Sequence, residues 1–146
     1  MTALKKFEEF VKSGVVKKQS PDTERALSLL KESEDQKAFF SKVLGFMPFE
    51  QVNANYVIAT CYDVIMETIR AIMYLNGLKS KDSHEAEVAY LRNLGFSEQD
   101  VLFMNDVRYF RNGIKYYGKI LDIEYAKKVK AFFDKTYPIL AKQGRN

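Results

Sequence analysis

Between Pro48 and Asn76 the chain passes through Val52, Val57, Ile58, Cys61, Val64, Ile65, Ile69, Ile72, Met73 and Leu75. At about 100° per residue these side chains cover a wide arc of a helix instead of a single stripe. A helix that is apolar over most of its circumference has to be packed on several sides, so this segment is expected at the centre of a helical bundle. Its exceptions are Asp63, Glu67 and Arg70, which share one strip with Tyr56 and Tyr74. Two readings of that strip stand: a solvent-facing ion network at spacings of three and four, or a carboxylate and a guanidinium held at a cleft or subunit seam.

The rest of the chain is punctuated as helices are. Pro21 and Pro48 suit first turns, where the missing N–H costs nothing. Gly14, Gly45, Gly77, Gly95 and Gly118 fall where periodic segments stop, as left-handed caps do. Further start signals are Asp82 with Glu85, Ser97 with Asp100, and Asp122 with Glu124. Helices are predicted over 3–13, 21–44 with a break near Ser33, 48–76, 83–94, 97–117 and 122–140. No run alternates with period two, so strands are not expected. The predicted fold is all-α: an up-and-down bundle of four core helices plus short extra helices, in a single domain over 1–146.

Class exclusions follow from counts. Hydrophobic residues at 47% and charged residues at 29% are a globular balance without a low-complexity tract. The one cysteine, Cys61, cannot form an internal disulfide, and the uncharged run from Gln51 to Tyr62 is far short of a membrane span. A cytoplasmic protein without membrane contact is the expectation. One histidine and one cysteine cannot build a common zinc site, and no clustered Asp/Glu motif asks for magnesium, so neither metal nor cofactor is expected. Asn76-Gly77-Leu78-Lys79-Ser80 lacks the earlier glycine and preceding strand of a phosphate loop and is read as a turn. His84, in the first turn of a predicted helix beside Glu85 and Glu87, is read as a capping or packing residue.

The helix predicted from Ser97 to Tyr117 separates its faces. Phe103, Val107, Phe110, Ile114 and Tyr117 form an apolar stripe, and beside it lies a basic row of Arg108, Arg111 and Lys115, with Asn112 next to Arg111 and Lys119 just past the end. Like charges at these spacings repel by a few tenths of a kcal/mol per pair, so something anionic is expected to offset them. The helix macrodipole favours cations near a C-terminus and accounts for Lys115, but not for Arg108. Charge is also uneven along the chain: residues 1–106 hold 13 basic and 16 acidic side chains, net −3, whereas residues 107–146 hold 10 basic and 3 acidic, net +7. Lys127, Lys128, Lys130 and Lys135 extend the positive field, with Tyr109, Tyr116 and Tyr125 as aromatic surfaces nearby.

In order along the chain, Pro21-Asp22-Thr23-Glu24-Arg25-Ala26, Asn53-Ala54-Asn55-Tyr56, Cys61-Tyr62-Asp63, Ser83-His84-Glu85-Ala86 and Asp106-Val107-Arg108-Tyr109-Phe110-Arg111-Asn112-Gly113-Ile114-Lys115-Tyr116-Tyr117-Gly118 resemble the HEPN superfamily, particularly its small stand-alone prokaryotic members. The likeness spans roughly residues 20–135, and its most specific part is the Arg-Asn pair with its tyrosines and glycine. The resemblance implies a helical bundle, commonly dimeric. It also implies either a metal-independent endoribonuclease or the partner subunit of a minimal nucleotidyltransferase in a toxin–antitoxin pair. The ribonuclease branch has a histidine four to six residues after the arginine; here Tyr116 stands in that place and no histidine follows. A neutral tyrosine, with a reference pKa near 10, is a poor general base at neutral pH.

The binding half of the motif survives: Arg111 as a bidentate phosphate anchor, Arg108, Lys115 and Lys119 as flanking charges, Asn112 as an orienting hydrogen-bonder and Glu67 as their acidic neighbour. The expectation is a homodimeric HEPN-like module, catalytically degenerate, that binds a nucleotide, RNA or a nucleotidyltransferase partner. Two alternatives stand beside it. One is an endoribonuclease acting at a dimer interface with Arg111 and Tyr116 as its catalytic pair; the other is a structural bundle whose basic row pairs with acidic side chains.

Overall fold

The computed structural model describes residues 3–145. The chain runs α1 (Phe7–Lys12), β1 (Lys17–Lys18), α2 (Thr23–Leu44), a single 3-10 turn (Phe49–Gln51), α3 (Ala54–Leu75), β2 (Leu78–Lys79), α4 (His84–Asn93), α5 (Glu98–Tyr117) and α6 (Ile123–Arg145). It is an all-α helical bundle of four long helices and two short ones, with α3 packed against α2, α4, α5 and α6. The central position of α3 follows from its composition: Val57, Ile58, Cys61, Val64, Ile65, Ile69 and Met73 are all buried. Phe40 of α2, Leu91 of α4, Met104 of α5 and Phe133 of α6 close the core around it.

Several boundaries differ from the sequence expectation, each for a local reason. Pro48 opens the 3-10 turn, and the long helix begins only at Ala54, after Asn53 has accepted a hydrogen bond from the Tyr56 amide. Ser83, not Asp82, caps α4 by accepting from the Ala86 amide. No break occurs at Ser33, because its hydroxyl turns inward and donates to the Leu30 carbonyl within one unbroken helix. Gly45 is right-handed, so the last turn of α2 tightens without a left-handed cap.

The two short strands were not expected. Lys17–Lys18 pairs antiparallel with Leu78–Lys79, a ladder too short to write an alternating pattern into the sequence. Gly77 makes the ladder, since its φ of +70° turns the chain out of α3 and a Cβ there would strike the Gln19 carbonyl. Its own carbonyl accepts from the Gln19 amide at 2.8 Å.

The strip on α3 is not a solvent-facing ion network either. Tyr74 is buried, and Arg70 reaches across to α4, where the fully buried Glu87 accepts from its Nε at 2.9 Å and its Nη2 at 3.0 Å. Ser80 donates to the same carboxylate at 2.6 Å. His84, Glu87 and Tyr90 lie one turn apart on α4, and they contact Tyr62 and Arg70 of α3 and its C-cap Asn76 respectively. This polar seam sets the rotation of α4 about its axis.

Removing one partner of a buried pair strands the other charge, so Glu87→Ala is expected to destabilise the fold by about 3 kcal/mol. For a chain of this size that is a loss of roughly 10 °C in the thermal midpoint. The double replacement Arg70→Met with Glu87→Leu is expected to recover much of it, and a single variant that melts with wild type would contradict the assignment.

Candidate functional site

Three elements converge on one open cleft of about 350 Å³. The α3 wall supplies Tyr62 and Asp63, the α4 start supplies Asp82, Ser83, His84 and Glu85, and α5 supplies Arg108, Arg111, Asn112, Lys115 and Tyr116. The α4 start reaches the rim through a strained turn: Lys81 and Asp82 adopt left-handed backbone, with φ of 50° and 64°. Such geometry is costly for residues with a Cβ and persists only where the surroundings over-determine it. A larger depression of about 490 Å³ between α2 and the end of α6 carries no comparable set. Its charged groups are committed within the chain, Arg145 to Glu34 and Lys31 to Asp35.

The cation row on α5 differs among its members. Arg111 forms a two-point pair with Asp63, with Nη2 to Oδ2 at 3.2 Å and Nε to Oδ1 at 3.4 Å, longer than a tight guanidinium–carboxylate fork. The Asp63 side chain is 49% exposed, so this pair holds Arg111 in place at little cost to exchange with another anion. Arg108 donates its Nε to Asn105 Oδ1 at 2.9 Å, and among the described residues no carboxylate pairs with it. Lys115 is likewise without a carboxylate partner among the described residues; its Nζ lies 5.3 Å from the centroid of the Tyr116 ring. The cleft is therefore two-sided: cations along α5, carboxylates at the α4 rim and Asp63 between them.

Opposite Arg111 stands the one histidine. His84 Nδ1 is 3.2 Å from the Tyr62 hydroxyl. Burial pushes the Tyr62 hydroxyl far above the usual phenol range, against the opposing pull of Arg108, so it keeps its proton and can donate to a bare Nδ1. Its other ring nitrogen, Nε2, makes no hydrogen bond among the described residues. The residue read as packing thus lines the cleft.

Arg108, Arg111, Asn112, Lys115 and Tyr116 are brought together as the sequence pattern implied. Glu67 is not among the cleft residues; one turn further along α3, burial and the nearby Glu32 raise its pKa, and the acidic neighbour of Arg111 is Asp63. Lys119 lies around the corner, its backbone carbonyl accepting from Asn55 at 2.8 Å. Tyr117 leaves the apolar stripe and is 82% exposed. The α6 lysines are mostly neutralised: Lys127 pairs with Glu50 and Glu124, Lys130 with Asp134 and Lys135 with Asp100. Sequence reasoning missed Asp82, Ser83, His84 and Glu85 as cleft residues. The capping signal marked the α4 start, but nothing local says which helix it faces.

Comparison with family models, with curated proteins and with solved structures finds no match.

Cys61 is no part of the site. Burial pushes its thiol up to about 12, which leaves almost no thiolate at neutral pH. Native protein is expected to resist a thiol-specific chromogenic reagent at pH 8 and to react fully in denaturant; rapid native labelling would contradict the packing around α3.

Proposed function

We propose that this chain is a HEPN-like module that uses the α5 wall of the cleft to bind the phosphodiester backbone of RNA, a nucleotide, or the anionic face of a nucleotidyltransferase partner. The carrying observation is the pair of cations without carboxylate partners among the described residues, Arg108 and Lys115, flanking the loosely held Arg111 on one wall of an open cleft. Stacking three cations on one helical face costs electrostatic energy unless an anion joins them. Asn112 beside Arg111 supplies an orienting amide. The HEPN likeness rests on the Arg111-Asn112 pair and its neighbours, and the helical bundle class agrees with it. From that likeness the reading takes its dimeric state and its place in a toxin–antitoxin pair.

A second reading is favoured by one specific observation: His84 shares the cleft with Arg111 although it comes from another helix. A metal-independent endoribonuclease needs a group to take the 2′-hydroxyl proton and a cation to stabilise the developing phosphorane charge. His84, oriented by Tyr62, suits the first role and Arg111 the second. Tyr116, with its ring 65% exposed on the rim, is the weaker candidate for proton transfer.

Fluorescence anisotropy with a labelled eight-nucleotide single-stranded RNA tests the binding reading. Three phosphate contacts on a single strand predict a log–log salt slope of roughly −2. Arg111→Ala is expected to lower affinity at least tenfold, and binding insensitive to salt would overturn the electrostatic account. Incubating the same RNA with wild type, His84→Ala and Arg111→Ala tests the second reading. Cleavage lost in both variants supports it, and equal, negligible cleavage by all three removes it.

A further inference from the structure

Adjoining the cation cleft is a second pocket, of about 310 Å³, with a different lining: Tyr109, Phe110, Gly113, Tyr117 and Lys119, together with Asn112 and Tyr116. Asn112 and Tyr116 line both spaces, so these two side chains form a wall common to both. The aromatic pocket is built by the end of α5. Gly118 reverses the chain with a φ of 64°, and the Lys119 amide donates to the Gly113 carbonyl at 3.2 Å. The Lys119 stem then lies against Gly113, 3.2 Å from where a Cβ would stand. Asn55 of α3 clamps the reversal from below, donating to the Lys119 carbonyl at 2.8 Å and accepting from the Leu121 amide at 2.9 Å.

The rings of this pocket are not spent on the core. Tyr109 is 56% exposed and Tyr116 65% exposed. The Asn112 amide forms no side-chain hydrogen bond among the described residues, so both its donor and its acceptor are free for a ligand edge. A polar cleft carrying cations on one side of Tyr116, and an aromatic pocket with a free amide on the other, fit a ligand that is anionic at one end and flat, aromatic and hydrogen-bonding at the other.

We propose that the tyrosine pocket receives an unpaired base of a single-stranded RNA whose backbone phosphates lie along Arg108, Arg111 and Lys115. The proposal rests on the anion-binding reading above and adds the base-binding half. Charge complementarity and the shared wall at Asn112 and Tyr116 select this occupant. The cation row from Arg108 to Lys115 also spans eight residues of α5, about 10 Å along the helix axis, which exceeds a single phosphate and suits a strand. A base can stack on Tyr116 only when it is out of a duplex, so paired RNA is excluded by geometry. Stacking on an aromatic ring tolerates any base, while Asn112 can favour bases that offer a donor beside an acceptor.

The test compares three fluorescein-labelled eight-nucleotide probes in anisotropy titrations against the 146-residue chain: a single-stranded RNA, the same strand annealed to its complement, and an abasic chain of equal length. Loss of one base–aromatic stack is expected to cost about five- to hundredfold, so the single strand should bind more tightly than the abasic chain by that factor. Tyr116→Leu should erase this preference, Tyr116→Phe should keep it, and both exposed-site variants should melt like wild type. Equal affinity for the single strand and the abasic chain, both lost with Arg111→Ala, would overturn the tyrosine pocket and leave anion binding standing. No binding of any probe would overturn both readings. A Tyr116→Leu variant that changes subunit stoichiometry in analytical ultracentrifugation without changing RNA affinity would overturn the proposal by assigning the rings to self-association.

Discussion

The carboxylate of Glu87 is fully buried, and the arrangement of the cleft depends on how it is satisfied. An isolated charge there would cost several kcal/mol, yet it accepts two bonds from Arg70 and one from Ser80. Those partners come from α3 and from the turn after β2, so one side chain joins three pieces of chain. It also lies in the first turn of α4, where the helix dipole favours a negative charge. Because it is one turn from His84, locking Glu87 against α3 places His84 beside Tyr62 and thereby on the cleft. The polar strip that interrupts the most apolar helix of the chain thus ties the α4 start to α3 at the edge of the cleft.

Electrostatics divides that cleft. The α5 wall collects cations at helical spacing, and the α4 rim collects carboxylates around an imidazole. A uniformly positive groove would hold any polyanion; this one sets a wall of cations against a rim that carries carboxylates and the His84 imidazole. The Asp63–Arg111 pair is long and its carboxylate is half open to water, so on the proposed reading a phosphate replaces Asp63 without leaving that carboxylate buried. Around Tyr116 the surface changes from charged to aromatic.

Periodicity made the bundle legible, because a helix as apolar as α3 can only be central and the caps at Ser97 and Asp122 are local hydrogen-bonding chemistry. The row of Arg108, Arg111, Asn112 and Lys115 was legible for the same reason: it lies on one helix, and helical spacing fixes its face. What was not legible involves partners distant in sequence. Glu67 and Asp63 are equivalent in pattern, and only the packing of α5 against α3 selects Asp63 for Arg111. Arg70 suits a local pair with Glu67 and instead takes Glu87, seventeen residues on, because burial leaves that carboxylate no other charge to meet. The β1–β2 ladder hangs on Gly77 and two residues a side, below the length at which any pattern accumulates.

On the proposed reading the α5 cation wall and Asn112 hold one ligand across the cleft from His84. A two-dimensional NMR titration with a short single-stranded RNA, following the Nε–Hε resonances of Arg108 and Arg111, the Asn112 amide and the His84 ring, tests it most directly. All four sets of signals shifting along a single saturable isotherm is the predicted result. Shifts confined to other surfaces of the bundle, with these four unmoved at saturating RNA, would contradict it.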